Sequence, residues 1–113
     1  MYEIKAHDTL PPLTFQLMEK AGTPDEGPLD TSGCQVRFFF QKAGQQGFNE
    51  SLVVMTDELT GQGYVSWVPE DTAVSVDTDC RGEFQVTRTD GRQFTVPAHE
   101  YLQFRIRADL NKA

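Results

Sequence analysis

Apolar residues in this chain recur at every second position over short runs, and that period restricts the fold more than any other feature of the sequence. In the last run, Leu102, Phe104 and Ile106 alternate with Gln103, Arg105 and Arg107. Leu13, Phe15 and Leu17 alternate with Thr14 and Gln16, and Val36, Phe38 and Phe40 alternate with Arg37 and Phe39. A spacing of two places successive side chains on opposite faces of a strand, whereas a helix would need apolar residues three and four apart over several turns. No segment keeps a helical spacing over three turns. The chain is therefore expected to be all-β, with strands that each bury one face.

The runs are bounded by residues that turn a chain. Asp90 and Gly91 separate 84–88 from 93–96, a pair suited to the positive φ angles of a tight hairpin. Residues 21–32 carry Gly22, Pro24, Gly27 and Pro28, which predicts a surface excursion between strands. Residues 42–50, with Gly44, Gly47 and paired glutamines, read as a mobile loop. Pro69 ends the strand 64–68, because proline supplies no ladder donor. Residues 111–113 read as a fraying end. Seven or eight short strands result, spaced as in an antiparallel β-sandwich or barrel. With 113 residues and no linker or repeat, the expectation is one domain over 1–113. Phe15, Phe38, Trp67, Phe84 and Phe104 are the side chains expected to anchor its core.

Charge narrows the partners. Seventeen acidic residues against ten basic ones give a net charge of −7, which opposes binding to a phosphate backbone. No apolar run is long enough to span a bilayer, and the first residues lack the basic and apolar regions of a secretory signal. The chain is thus expected to fold in the cytosol of the cell that makes it. Cys34 and Cys80 flank Trp67, the order found in secreted immunoglobulin domains. There both cysteines sit within strands, whereas here Cys34 opens a strand and Cys80 falls in the polar stretch 77–82. Two free thiols are the expectation.

Chemistry is thinly supplied. The chain has no Gly-x-Ser-x-Gly elbow, and His7 and His99 sit in connecting segments without a nucleophile at a useful spacing. Asp77, Asp79 and Glu83 resemble the acidic rim of a calcium-binding sandwich, but the EF-hand spacing is missing and acids are common in this chain. Neither cysteine has a zinc-ligand partner two to four residues away. Gly61-Gln62-Gly63 precedes a strand rather than a helix, so it reads as a turn and not a phosphate cradle. No cofactor, no metal and no small-molecule ligand are expected. Tyr64 and Tyr101 both point outward, and two tyrosines do not make a sugar-binding platform. A carbohydrate-binding module would predict an exposed aromatic cluster.

Several segments, taken in order, resemble one family. Residues 7–13, His-Asp-Thr-Leu-Pro-Pro-Leu, look like the opening of the BppU N-terminal, immunoglobulin-like domains of phage tails and baseplates. Residues 29–38 (with Asp30, Thr31, Gly33, Val36 and Phe38) resemble that family's first long strand. Gly61 to Trp67 followed by Pro69, Asp71 and Thr72, then Gly82 to Thr87 with Asp90, Gly91, Thr95, Val96 and Pro97, resemble later blocks. The likeness runs from about His7 to Ile106. Cys34 replaces a small residue, Cys80 stands where proline is frequent, and the expected glutamate is displaced to Glu83.

The resemblance implies an immunoglobulin-like sandwich without an active site: a structural virion protein made in the host bacterial cytoplasm. It would anchor receptor-binding or fibre proteins on the tail or baseplate, in many copies and among other phage structural proteins. A capsid-decorating or neck protein with the same fold is the alternative, and a carbohydrate-binding adhesion module is a second. Contact residues are expected in 2–12, 21–32 and 42–50 and on outward faces: Tyr2, His7, Arg37, Tyr101, Arg105 and Arg107.

Overall fold

A computed structural model describes residues 2–20, 23–97 and 101–108. It is all-β, with no helix among the described residues. Its strands are β1 (Tyr2–Lys5), β2 (Leu13–Gln16), β3 (Met18–Glu19), β4 (Gly27–Pro28), β5 (Gln35–Lys42), β6 (Asn49–Asp57), β7 (Gln62–Ser66), β8 (Thr78–Thr87), β9 (Gln93–Val96) and β10 (Leu102–Arg107). The main ladder runs β1-β10-β8-β5-β6-β7-β2, and β9 pairs with the far half of β8. Every pairing is antiparallel except β1 with β10, which is parallel.

Two strands change partners along their length, and the change on β6 turns one ladder into two facing layers. The first residues of β6, Asn49 to Ser51, pair with β5, while Leu52 onward pairs with β7. On β8, Thr78 to Gly82 pair with β10, and Phe84 to Thr87 pair with β9. A strand that switches sheets makes a corner, so the β1-β10-β8-β5 layer folds over the β6-β7-β2 layer into a nearly closed sandwich.

The alternation read from sequence decides what lies between the layers. Phe38, Phe40, Phe84, Val86, Phe104 and Ile106 are all buried, as are Val65 and Trp67 from the opposing layer. Trp67 meets Phe40 edge-on at 5.4 Å between ring centroids and lies 5.6 Å from Phe104. Full burial contributes about 1.5–3 kcal/mol for a phenylalanine side chain. Gly82 faces inward beneath Phe38, where an added Cβ would come within 2.4 Å of the ring. Of the five anchors expected from sequence, four are buried and Phe15 is only half-buried, while Phe40 is a further anchor.

Four local expectations need correction. Cys80 does not sit in a polar loop: it lies on β8 facing inward and is 4% exposed, and its polar neighbours Asp79 and Arg81 are the outward half of the alternation. Residues 42–50 do not form a loose loop. Gln41 Nε2 donates to the carbonyls of Gln45 and Gly47 at 2.9 and 3.0 Å, Gln45 and Asn49 are joined through their side-chain amides, and Asn49 and Glu50 already belong to β6. Residues 23–28 do lie at the surface, but the segment is anchored rather than free: β4 pairs with β3, and Leu29 and Thr31 are buried. In the β8–β9 hairpin only Gly91 has positive φ (86°), and the Gly91 N–H donates to the Arg88 carbonyl at 2.9 Å. A three-residue loop with glycine in the left-handed position explains this better than a two-residue turn.

Candidate interaction surface

The motif residues that carry the family resemblance gather along seams inside the molecule. Trp67 Nε1 donates to the Tyr2 hydroxyl at 2.8 Å, and that hydroxyl donates to the Pro11 carbonyl. Tyr2 also packs against Trp67 and Phe104, so it closes the core beside β1 and is not an outward contact residue. Burial pushes its phenol above the usual value, partly offset by the hydrogen bond from Trp67. Thr72 is fully buried, and its hydroxyl donates to the Asp8 carbonyl at 2.9 Å. Asp71 Oδ2 accepts from the Val68 N–H at 3.0 Å and holds the turn that presents Thr72. Thr31 donates through both its N–H and its hydroxyl to the Glu58 carbonyl, at 2.7 and 3.0 Å. Gly61, at φ 70°, passes so close to Leu29 that a Cβ would lie 2.7 Å from its carbonyl oxygen. These contacts satisfy buried polar groups that would otherwise cost the fold their desolvation.

His7 is exposed at φ 67°, with its N–H donating to the Thr72 carbonyl at 3.2 Å. It therefore borders the same seam. His99 and residues 111–113 lie outside the described residues.

The outward side of the β1-β10-β8-β5 layer is lined with charge. Arg105 Nε donates to Asp79 at 2.7 Å. Arg107 contacts Asp77 at 3.2 Å and Glu3 at 3.5 Å. The N–H of Ala108 donates to Asp77 at 2.7 Å, and this, with the guanidinium of Arg107, holds the Asp77 carboxyl below its usual value. The hydrogen bond to Asp79 raises Arg105 further above its already high value. Arg37 donates to Gln35 Oε1 at 3.3 Å. Asp77 and Asp79, two of the three acids that resemble a calcium-binding rim, are thus engaged by arginines. Glu83 lies further along β8 on the same face, and no cluster of metal-binding side chains occurs among the described residues.

Across the middle of that layer lies a row that periodicity alone did not single out. Phe39 on β5 pairs with Glu83 on β8, and Tyr101 immediately precedes Leu102, which pairs with Gly82. Phe48 from the β5–β6 turn packs edge-on against Phe39 at 5.5 Å and remains 69% exposed. Arg81 lies over the Tyr101 ring, 4.6 Å from its centroid, and donates twice to Gln41 Oε1 at 3.1 and 2.8 Å. The signal that marks Phe39 in the sequence is an apolar residue on the outward beat of a strand. Tyr64 lies on the other layer, beside Val54, with Leu52 exposed in the neighbouring row.

Cys34 and Cys80 are free, and the register keeps them apart. Cys80 pairs with Lys42 at one end of β5, whereas Cys34 precedes its other end, roughly 25 Å away at about 3.3 Å per residue. A disulfide needs Cα atoms within about 7 Å. Burial pushes the Cys80 thiol up to about 11.

No family model matches the chain, and no curated protein is significantly similar to it. Among solved structures the fold does have a counterpart. The chain is similar to the N-terminal domain of phage TP901-1 ORF48, with a TM-score of 0.56 at 15% identity, over 96% of this chain and 84% of that one. At that identity the likeness is one of fold.

Proposed function

We propose that this chain is a non-catalytic structural component of a tailed-phage virion, an adaptor in the tail or baseplate that anchors fibre or receptor-binding proteins. The observation that carries the reading is the fold shared with a phage domain over 96% of the chain. The ordered motifs that resemble BppU N-terminal domains point the same way. In this reading the chain is made in the host cytoplasm, needs no cofactor, and acts through contacts with other virion proteins in many copies.

Two features of the fold suit such a role. The ladder ends at β1 and β2, whose outer backbone edges can accept a strand from a neighbour. The outer side of the β6-β7-β2 layer carries Leu52, 71% exposed, and Val54 next to Tyr64, an apolar strip of the kind that interfaces cover. Repeated along a ring, modest contacts of this sort sum to a stable assembly.

Cryo-electron microscopy of the particle encoding this chain tests the proposal. Density for the sandwich in a ring at the tail or baseplate, beneath fibre-like proteins, is expected. Density on the capsid would keep the structural class and transfer the role to the head. Purified particles that lack the chain altogether would overturn the reading.

A further inference from the structure

The row Phe39–Glu83–Tyr101 on the β5-β8-β10 face has walls and a floor of different chemistry. Phe39, braced by Phe48, forms one wall and Tyr101 the other. They stand two strands apart, about 10 Å at the usual strand spacing. Between them the floor is Arg81, Glu83 and Gln85. The hollow measures about 310 Å³ and shares Gln41 and Arg81 with a larger, more polar hollow of about 590 Å³ toward Arg105. Together they make a groove running along the face of the layer.

The floor is fixed in advance. Arg81 is clamped by both donations to Gln41 Oε1 and lies against Tyr101, and Gln41 is itself held by the Gln45 and Gly47 carbonyls. Nη1 of Arg81 and the side chains of Glu83 and Gln85 make no hydrogen bond among the described residues. The groove therefore presents a rigid donor, an acceptor-only carboxylate and an amide that does both. Aromatic surface stays uncovered beside them, with Phe48 69% and Tyr101 48% exposed.

We infer that this groove binds a neutral saccharide chain. A pyranose offers an apolar C–H face to an aromatic ring and, at its rim, hydroxyls that both donate and accept. That is the complement of aromatic walls around a floor of guanidinium, carboxylate and amide. A nucleic acid fits poorly, since Glu83 lies at the centre of the groove and the chain carries a net charge of −7. A lipid chain would leave Glu83, Gln85 and the free Nη1 of Arg81 desolvated without partners. Neither the ORF48 likeness nor the virion reading is required for this site, and the two stand or fall separately.

The test is an array of oligosaccharides built from glucose, galactose, N-acetylglucosamine and rhamnose, probed with the full chain. Each hit is then titrated while amide shifts are followed by NMR. The expected result is binding with shifts confined to Phe39, Phe48, Arg81, Glu83, Gln85 and Tyr101. Phe48→Ala and Tyr101→Ala should each weaken it by about tenfold or more, as loss of a stacking partner does. Both residues are exposed, so both variants should melt like the parent, and Tyr64→Ala on the other layer should bind as well as the parent. No saccharide bound on the array overturns the inference. So does binding that survives both aromatic variants, or a virion protein captured through these same residues while every sugar is ignored.

Discussion

The seam around Trp67 and the outer groove around Glu83 are built from similar residue types and end in opposite states. In the seam, Tyr2, Thr31, Thr72 and Asp71 have their polar atoms occupied by the chain itself. In the groove, the side chains of Glu83 and Gln85 make no hydrogen bond among the described residues, and Phe48 and Tyr101 keep much of their surface in solvent. The residues that resemble a phage-domain family belong mostly to the seam. A motif likeness of this kind therefore reports how the sandwich is fastened, while the surface that touches another molecule is free to differ.

The contrast can be broken most forcefully at its centre. Phe38→Ala should remove about 3–5 kcal/mol of stability by urea denaturation, since Phe38 is wholly buried among Phe40, Phe84, Trp67 and Phe104. An effect below about 1 kcal/mol would mean that the layers do not close over it. Thr72→Val keeps the shape and deletes the donor to Asp8, so a loss of about 1–3 kcal/mol is expected, together with faster exchange of the His7 amide. Unchanged exchange would show the leading segment to be held by something else. On the open surface Phe48→Ala should shift stability by no more than about 0.5 kcal/mol in the same assay, and a larger loss would place that ring in the core.

Titration sharpens the comparison further. The folded Asp77 carboxyl lies below its unfolded value, so its contribution is present above pH about 4 and fades as pH falls through the folded value. Asp77→Asn should therefore be less stable than the parent at neutral pH, and the gap should narrow in acid. A constant gap would argue against a role for the charge. The Cys80 thiol, raised to about 11, has the opposite sign: its share of stability is intact below the unfolded value and is lost as pH climbs toward 11. At pH 8 an alkylating reagent should label half-buried Cys34 first and reach Cys80 only as the protein opens. Equal labelling rates would contradict the inward placement of Cys80.

How far the sequence foretold this molecule depended on the range of the interaction. Strands such as β10 were legible because one face is buried, and the period of Leu102, Phe104 and Ile106 records it directly. Cys80 was misread because Thr78, Cys80, Gly82 and Phe84 are the inward beat of a strand whose outward beat is charged. Cys80 and Gly82 are small, and the charges of Asp79 and Arg81 between them mask the apolar beat. The lacing of residues 41–49 by glutamine and asparagine amides leaves no trace in composition, since the same residues would serve a loose loop. The pairing of β8 with β10, and the point along β6 where its partner changes from β5 to β7, leave no local signal in the sequence. Of the expected contact residues, Tyr101 lies in the groove, while Arg105 and Arg107 are tied into ion pairs beside it and Tyr2 turns inward. Phe39, Phe48 and Arg81 had no motif to announce them.

The parallel pairing of β1 with β10 carries a mechanical consequence. Tyr2 lies beside Phe104 and Lys5 beside Arg107, so β1 begins at the end of the ladder opposite to where β10 finishes. Tension that draws the chain before Tyr2 one way and the chain after Arg107 the other slides the two strands along each other. Evenly spaced, slanted hydrogen bonds then share the load and must yield together, where a hairpin pulled open at its free end would release them one at a time. A domain wired in this way resists stretching along that axis by its rate of rupture rather than by its equilibrium stability.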